Sequence, residues 1–368
     1  MITTDTKHMK RALTLARKGI GKTSPNPAVG CVIAKNGTVV GEGWHKKTGG
    51  PHAEVHALEM AGGAARDADV YVTLEPCCHT GKTPPCSEAL IKAGVRRVIA
   101  GMPDPNPQVC GGGFAALEAA GIETSCGMLE EECRDINLPF IKYVTTGMPY
   151  VTYKCAMTLD GNIATLTGES RWISCEESRK QVHLMRSRMD AVMVGVDTII
   201  ADNPQLTVRH VRGKDPLRII VDTRLRTPKT VTILNGELSI KTIIATAEID
   251  TVIHRPYLEQ GVTIVVCDEC DGRVSMHDLL QKLGIMGVQS ILLEGGSRLA
   301  GSMLQQGVID ELVFFVAPKI IGSNGFAPFN LQGITSMTHA IKLNFNEIRR
   351  IGSDIVVTAR PERACLPA

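Results

Sequence analysis

The chain has 368 residues, room for two domains at roughly 150 residues each and enough core to stand without disulfides. Its 40 basic residues are balanced by 38 acidic ones, aromatics make up only 4%, and no basic block is visible, which argues against a nucleic-acid surface or a base-stacking platform. There is no long apolar run, the start Met1-Ile2-Thr3-Thr4-Asp5 is polar, and many of the 12 cysteines sit in apolar stretches, so a cytoplasmic, reduced protein without membrane contact is expected.

Met9, Ala12, Leu13 and Ala16 recur at helical spacing and predict an amphipathic helix over 5–18. Ser24-Pro25-Asn26-Pro27-Ala28-Val29-Gly30 reads as a rigid loop, followed by a strand over 31–34, an Asn36-Gly37 hairpin turn and a returning strand over 39–43. A helix over 51–61 is stopped by Gly62-Gly63, a strand covers 70–74, and Pro84-Pro85-Cys86 opens a helix that runs to Gly94. A strand at 95–100, the run Asp104-Pro105-Asn106-Pro107, a helix at about 112–120 and a short strand at about 122–125 complete an α/β/α unit. Open α/β sheets hold ligands at strand ends beside helix N-termini.

Two of those strand and helix ends carry chemistry. His52, Cys77 and Cys86 offer one imidazole and two thiols, three zinc ligands that leave a fourth position for water. Zinc lowers the pKa of bound water from about 15.7 to about 7, and Glu54, two residues after the histidine, is placed to move protons for it. His-x-Glu followed by Pro-Cys and a further Cys is the pattern of the zinc nucleobase deaminases. Placement near helix N-termini favours the thiolate form of Cys86. A purely structural zinc would want a fourth ligand, which Cys78, His79 or His56 could supply. Cys78 directly follows Cys77 and is expected to point elsewhere; His56 reads as a helix-face residue. Cys267 and Cys270 form a lone Cys-x-x-Cys, read as structural.

Residues 1 to about 145 resemble the deaminase half of the bifunctional riboflavin-biosynthesis deaminase/reductases. The resemblance rests on Pro25-Asn26-Pro27 through Val29-Gly30, on His52-Ala53-Glu54, and on Glu75-Pro76-Cys77 running to Thr83-Pro84-Pro85-Cys86. Eight residues separate Cys77 from Cys86, unlike the Cys-x-x-Cys of editing deaminases. The resemblance implies that His52, Cys77 and Cys86 hold Zn2+, that Glu54 is the proton shuttle, and that Asn26, His79 and Lys82 meet substrate. Lys82 has a physical rationale of its own, since a cation in that loop can meet a sugar phosphate; the alternative is a solvated loop lysine.

Gly147-Met148-Pro149-Tyr150 marks a boundary, dividing the chain into 1–146 and 147–368. A strand over 150–157 and a helix over about 176–187 follow, then strands at 191–195, 217–222, 242–246, 262–266 and 290–294. The last runs into Gly295-Gly296-Ser297, where small residues at a helix N-terminus would admit a pyrophosphate to the backbone N–H groups. The full Gly-x-Gly-x-x-Gly order is missing, so a tight strand-to-helix turn is the competing reading.

From about 148 to 360 the chain resembles the reductase half of the same family, similar in fold to dihydrofolate reductase. The matching stretches are Lys154 to Asp160-Gly161, Gly168 to Ile173, Ala201 to Arg209, and Glu294-Gly295-Gly296. The resemblance implies that Ala156, Trp172, Thr198, Asp202, Thr223 and the run Gly296, Ser297, Arg298, Leu299, Ala300, Gly301 and Ser302 surround NADPH. It implies a substrate side of Ser170, Arg186, Leu206, Arg209 and Glu294. Arg186 and Arg209 can supply guanidinium forks to a ribose phosphate. Hydride from the cofactor needs an acid or cation nearby, for which Lys154 and Glu294 are candidates; Arg224 is a candidate for favouring NADPH over NADH.

The expected protein is therefore α/β throughout, a cytidine-deaminase-like α/β/α domain followed by a dihydrofolate-reductase-like α/β domain. It would deaminate 2,5-diamino-6-ribosylamino-4(3H)-pyrimidinone 5′-phosphate, then reduce the ribosyl group of the product. Its partner would be that small pyrimidine ribotide, with no nucleic acid and no membrane. Glycine-rich reductase domains of this kind are expected to form homo-oligomers. Two rivals stand beside this reading. One is a base or nucleoside deaminase whose C-terminal domain only binds or regulates. The other is an RNA-binding module with structural zinc, which would need a basic stripe.

Overall fold

Residues 3–79, 84–106 and 109–362 are described by the structure, a computed structural model. The chain divides into two units, Met1–Gly147 and Met148–Ala368.

In the first unit, α1 (Thr4–Ala16), whose first turn is capped by Thr3, leads to the hairpin β1 (Gly30–Lys35) and β2 (Thr38–Trp44). There follow α2 (Ala53–Ala61), β3 (Asp69–Val72), α3 (Cys86–Ala93), β4 (Arg97–Ala100), α4 (Gly112–Ala119), β5 (Glu123–Cys126), α5 (Glu130–Ile136) and α6 (Leu138–Thr146). The sheet order is β2-β1-β3-β4-β5, antiparallel as far as β3 and parallel beyond it. Glycines on the hairpin decide how closely the helices approach. A Cβ on Gly30 would stand 2.0 Å from Ala12 O, and one on Gly43 2.2 Å from Ala53 O. Backbone therefore lies directly on backbone, and α2, which carries His52 and Glu54 at its start, is seated at fixed height on β2.

The second unit begins with β6 (Tyr150–Thr158), α7 (Glu176–Arg188), β7 (Ala191–Gly195), α8 (Val196–Asp202), β8 (Leu217–Val221), α9 (Glu237–Ile240) and β9 (Thr242–Thr246). It continues with α10 (Thr251–Leu258), β10 (Thr263–Val266), β11 (Glu269–Cys270), β12 (Arg273–Val274), α11 (Met276–Ile285), β13 (Ser290–Leu293) and α12 (Ser297–Gln305). It ends with β14 (Glu311–Ala317), β15 (Leu343–Ile351) and β16 (Asp354–Pro361). Nine strands form one sheet in the order β10-β9-β8-β7-β13-β6-β14-β16-β15. It is parallel from β10 to β14, and β16 and β15 add an antiparallel edge.

Central strands buried on both faces read as continuous apolar runs. Ala191, Met193, Ile219, Ile243 and Ile291 feed one core; Val192, Val194, Ile220, Ile244 and Leu292 feed the other. That alternation is the period of two of a strand with helices on both sides. The carboxyl ends of β13, β7 and β8 lie side by side, each running into a turn or helix start. No helix among the described residues is long and apolar enough to cross a membrane.

Candidate active sites

Two helix starts bring the nitrogen and sulfur donors together. His52 is the N-cap of α2 (φ −74°, ψ 172°), Glu54 lies in its first turn, and Cys86 is the first residue of α3. Cys77 lies in the loop leaving β3. His52 Nδ1 is 3.3 Å from Cys86 Sγ and 3.6 Å from Cys77 Sγ, and one donor atom from each residue falls within 4.8 Å of the others. The Cys86 N–H donates to Cys77 Sγ at 3.4 Å, so the positive end of α3 faces a sulfur.

Among the described residues this is the only group of three or more such donors, and two of the expected fourth ligands lie elsewhere. His56 pairs with Glu59 (3.4 Å), and Cys78 Sγ packs where a Cβ on Gly112 of α4 would come within 2.6 Å. The Cys77 thiol is pushed down to about 4, first by the hydrogen bond from Cys86. The same bond, with burial, pushes Cys86 up. A soft N,S,S set with one sulfur already poised as thiolate suits zinc, and three protein ligands are the catalytic rather than the structural pattern. Glu54 fits the same picture. It is 3% exposed, its Oε2 has no hydrogen-bond partner, and burial pushes its carboxyl up to about 6.

A cavity of about 450 Å³ opens onto His52, Glu54 and Cys77, and Asn26 and His79 line it too. Lys82 lies outside the described residues. The sequence reading missed His45, Asp104 and Phe140, which share this cavity. His45 is fixed on both ring nitrogens, by Asn26 Nδ2 at 3.3 Å and by Pro51 O at 3.1 Å. Asp104 is almost fully buried, and burial pushes its carboxyl up to about 6. Its position just past β4, at the carboxyl end of a parallel strand, was the available signal. Glu75 was also missed. Its carboxylate accepts four backbone N–H groups, from Asp104 (3.1 Å), Gly111 (3.1 Å), Gly113 (3.0 Å) and Phe114 (3.4 Å).

The second unit holds a cavity of about 670 Å³. Lys154, Ala156, Ser170, Trp172, Thr198 and Asp202 line it, as do Arg186, Leu206, Arg209, Glu294, Gly296 and Ser297. A Cβ on Gly296 would meet only Thr198 Oγ1, at 3.9 Å, so this glycine keeps space open over the N-terminus of α12. An open cradle of backbone N–H groups at a helix start suits a pyrophosphate.

The rest of the run does not line the cavity itself. Ala300 and Gly301 are buried, and a Cβ on Gly301 would come within 2.5 Å of Asn330 O. Leu299 packs against Gly295, Ser302 Oγ accepts from Gln306, and Arg298 faces Asp197 at 3.6 Å. Thr223 does not line the cavity, and its Oγ1 accepts the Val274 N–H at 3.3 Å; Arg224 pairs with Glu269 at 2.8 Å.

Arg186 and Glu294 meet each other. The guanidinium donates through Nε (2.6 Å) and Nη2 (2.9 Å) to the two carboxylate oxygens, and through Nη1 to Thr207 O (3.0 Å). The fork expected to hold a phosphate is thus turned to a carboxylate. Burial alone would raise the Glu294 carboxyl, but Arg186, with Lys154 and His183, outweighs it and holds it at about 2. Glu294 is ionised at neutral pH and accepts rather than donates. His183, another residue missed, takes the Arg209 N–H on Nδ1 at 3.0 Å. Trp172 lies under the Arg179 guanidinium at 4.6 Å, and its carbonyl accepts from Lys319.

A histidine–dithiol centre with a buried carboxylate, and a parallel sheet with a glycine cradle, define a zinc deaminase joined to an α/β reductase. The comparisons agree. Residues 2–102 match the family model of the cytidine and deoxycytidylate deaminase zinc-binding region, and residues 149–357 match the RibD C-terminal domain. The chain is 45% identical to the riboflavin biosynthesis protein RibD of Actinobacillus pleuropneumoniae, over 96% of this chain and 94% of that one. It is 42% identical to that of Escherichia coli, over 95% and 98%. Acinetobacter baumannii RibD superposes with a TM-score of 0.88 at 38% identity, over 99% of this chain and 100% of that one. The diaminohydroxyphosphoribosylaminopyrimidine deaminase/5-amino-6-(5-phosphoribosylamino)uracil reductase of Thermotoga maritima gives 0.85 at 36%, over 97% and 99%. The chain belongs to the RibD family of riboflavin biosynthesis. It is a bifunctional deaminase and reductase of a small pyrimidine, with Zn2+ and NADPH as its cofactors.

Proposed function

We propose that the chain acts twice on one intermediate, with residues 1–146 as the deaminase and 147–368 as the reductase. The first reaction removes the 2-amino group of 2,5-diamino-6-ribosylamino-4(3H)-pyrimidinone 5′-phosphate as ammonia. The second reduces the ribosyl group of the product and gives 5-amino-6-(5-phosphoribitylamino)uracil. The observation that carries the first step is the buried, unpartnered Glu54 Oε2 beside His52, Cys77 and Cys86. Those three residues would hold Zn2+, which when bound acidifies water for attack on the ring carbon. Glu54 carries the attacking water's first proton to the ring nitrogen, then moves the proton of the resulting hydroxyl to the amine, which leaves as ammonia while the ring carbonyl forms. Asn26 and His79 orient the pyrimidine, and Lys82 meets the phosphate.

In the second unit the Gly296–Ser297 cradle, with Ala156, Trp172, Thr198 and Asp202, would hold NADPH, which when bound supplies the hydride. Ser170, Leu206 and Arg209 face the substrate. With Glu294 held ionised by Arg186, Lys154 is the group that offers positive charge or a proton to the reacting carbonyl end. Arg209, which is exposed and whose guanidinium donates to the Gln205 side chain (3.3 Å) rather than to a carboxylate, is the better placed of the two arginines to meet a phosphate.

The reading extends to assembly and compartment. A homo-oligomer is supported by the apolar face of β15 and β16, where Phe345, Ile348 and Ile355 are 68%, 62% and 46% exposed. A cytoplasmic setting is supported by cysteines buried as thiols in apolar cores, such as Cys31, Cys133 and Cys155.

The test follows NADPH oxidation with the diaminopyrimidinone ribotide and with its deaminated product, using wild type and Glu54→Ala. Wild type should oxidise NADPH with either substrate. Glu54→Ala should retain zinc, work only with the deaminated substrate, and deaminate at least about 10²-fold more slowly. Wild type that leaves NADPH untouched with both substrates would overturn the reductase half.

A further inference from the structure

We infer that Asn137 is a positioning residue for deamination, setting Asn26 through a clasp on the Ala28 backbone; this rests on the reading of Asn26 as a substrate residue. Asn137 joins α5 to α6 and is nominally the cap of both helices (φ −114°, ψ 15°). An asparagine there would ordinarily spend its side chain on a free helix N–H. This one makes no such bond. Its Oδ1 accepts the Ala28 N–H at 2.8 Å and its Nδ2 donates to Ala28 O at 3.1 Å, across a sequence separation of 109. The side chain thus pairs with Ala28 as a neighbouring strand would. Asn137 is 3% exposed and Ala28 5%, so water cannot replace either bond without a rearrangement.

What the clasp holds is one wall of the deaminase cavity. Asn26 precedes Ala28 by two residues, and its own backbone N–H is tied to Thr23 O at 2.7 Å. On the other side, Val29 O accepts the His45 N–H at 2.9 Å. His45 then meets Asn26 Nδ2 on one ring nitrogen and Pro51 O on the other, and Pro51 precedes His52. Asn137, Ala28, Asn26, His45 and the start of α2 therefore form one continuous set of contacts. Phe140, three residues beyond Asn137, lines the same cavity. Both lie past residue 102, where the match to the deaminase zinc-binding region ends.

Removing the carboxamide strands a buried donor and acceptor on Ala28, and the loop must move to satisfy them. The displacement reaches Asn26, two residues from Ala28, before it reaches His52 through His45 and Pro51, so binding should suffer before chemistry. The experiment uses the full chain as wild type, Asn26→Ala, Asn137→Ala and the double variant. It reads deamination KM and kcat, zinc per chain, and NADPH oxidation with the deaminated substrate.

Asn137→Ala should raise KM roughly tenfold with kcat within about threefold of wild type, and with zinc content and NADPH oxidation unchanged. Added to Asn26→Ala, it should shift KM by less than about twofold, because both act through one contact. A variant that lost zinc would signal a collapsed unit; Asn137→Ser, which keeps a polar atom and fills less space, then carries the same test. If Asn26→Ala raises KM and Asn137→Ala does not, or the two effects multiply, the inference is wrong and the reading of Asn26 stands. An inert Asn26→Ala removes that reading, and the inference goes with it.

Discussion

Arg186 and Glu294 illustrate how one pair of side chains can decide what a cavity does. Both are about 10% exposed, with values of 11% and 10%, and each supplies the opposite charge that compensates the other's burial. Removing one partner leaves an uncompensated buried charge, whereas replacing both with apolar groups removes the problem. Arg186→Met should destabilise the second unit by about 3–5 kcal/mol, and Arg186→Met combined with Glu294→Leu should recover most of it, read from urea unfolding. Acid should act on the same cavity. Burial, with Arg186 and Arg209 beside it, pushes His183 down to about 4 from its ordinary 6.5, and Glu294 is held at about 2 against 4.5. In both cases the unfolded chain binds the proton more readily, so stability is lost as pH falls. His183 should contribute between about 6.5 and about 4, and Glu294 between about 4.5 and about 2. Thermal unfolding at stepped pH should show the first loss disappear in His183→Gln, which stays neutral.

At the scale of elements, α4 is positioned by a single carboxylate. Glu75 stands just past β3, and three of its four N–H donors come from the start of α4. An anion at a helix N-terminus meets both the unpaired N–H groups and the dipole. Glu75→Gln would turn an amide NH2 towards those donors and should lower the unfolding free energy of the first unit by about 1–3 kcal/mol, seen as a shifted urea midpoint. A midpoint identical to wild type would mean that the loop finds other partners. Such contacts explain what could be read in advance. The zinc donors were legible because their residue types allow little else, and the glycine cradle because only a small residue leaves that space. Glu75 and Asn137 were not, since each is meaningful only through groups 29 to 39 and 109 residues away. Among elements, α1, β3, β9 and β13 fell within about two residues of expectation. The sequence reading missed α8, seven residues long, and α10, which contains Pro256. It also missed β14 to β16, although Leu312-Val313-Phe314-Phe315-Val316 is a plain apolar run.

At the scale of the whole molecule, the edge of the nine-stranded sheet has an unusual surface. Phe345 pairs with Ala359, Ile348 with Val357, and Arg350 with Ile355, which puts three exposed apolar side chains and one arginine on the same side of a long hairpin. An exposed apolar face on an edge hairpin invites pairing with another chain. The double variant Phe345→Lys/Ile348→Lys should therefore halve or further reduce the mass measured by light scattering at micromolar concentration, with NADPH oxidation serving to report a folded second unit. A wild type that already runs as a monomer would count against the proposed assembly.

Besides the 25–50 segment that carries Asn26 and His45, the deaminase cavity draws its residues from two separate stretches of chain. The nitrogen and sulfur donors and the proton-moving carboxylate come from 52–86, whereas Asp104, Val109 and Phe140 come from beyond residue 102, after the shared deaminase region has ended. Inheritance can act on these stretches separately. Mutations in the later one could retune which amine-bearing ring fits, generation by generation, while the earlier one keeps a working reaction throughout. A lineage built this way can change diet without first losing its teeth.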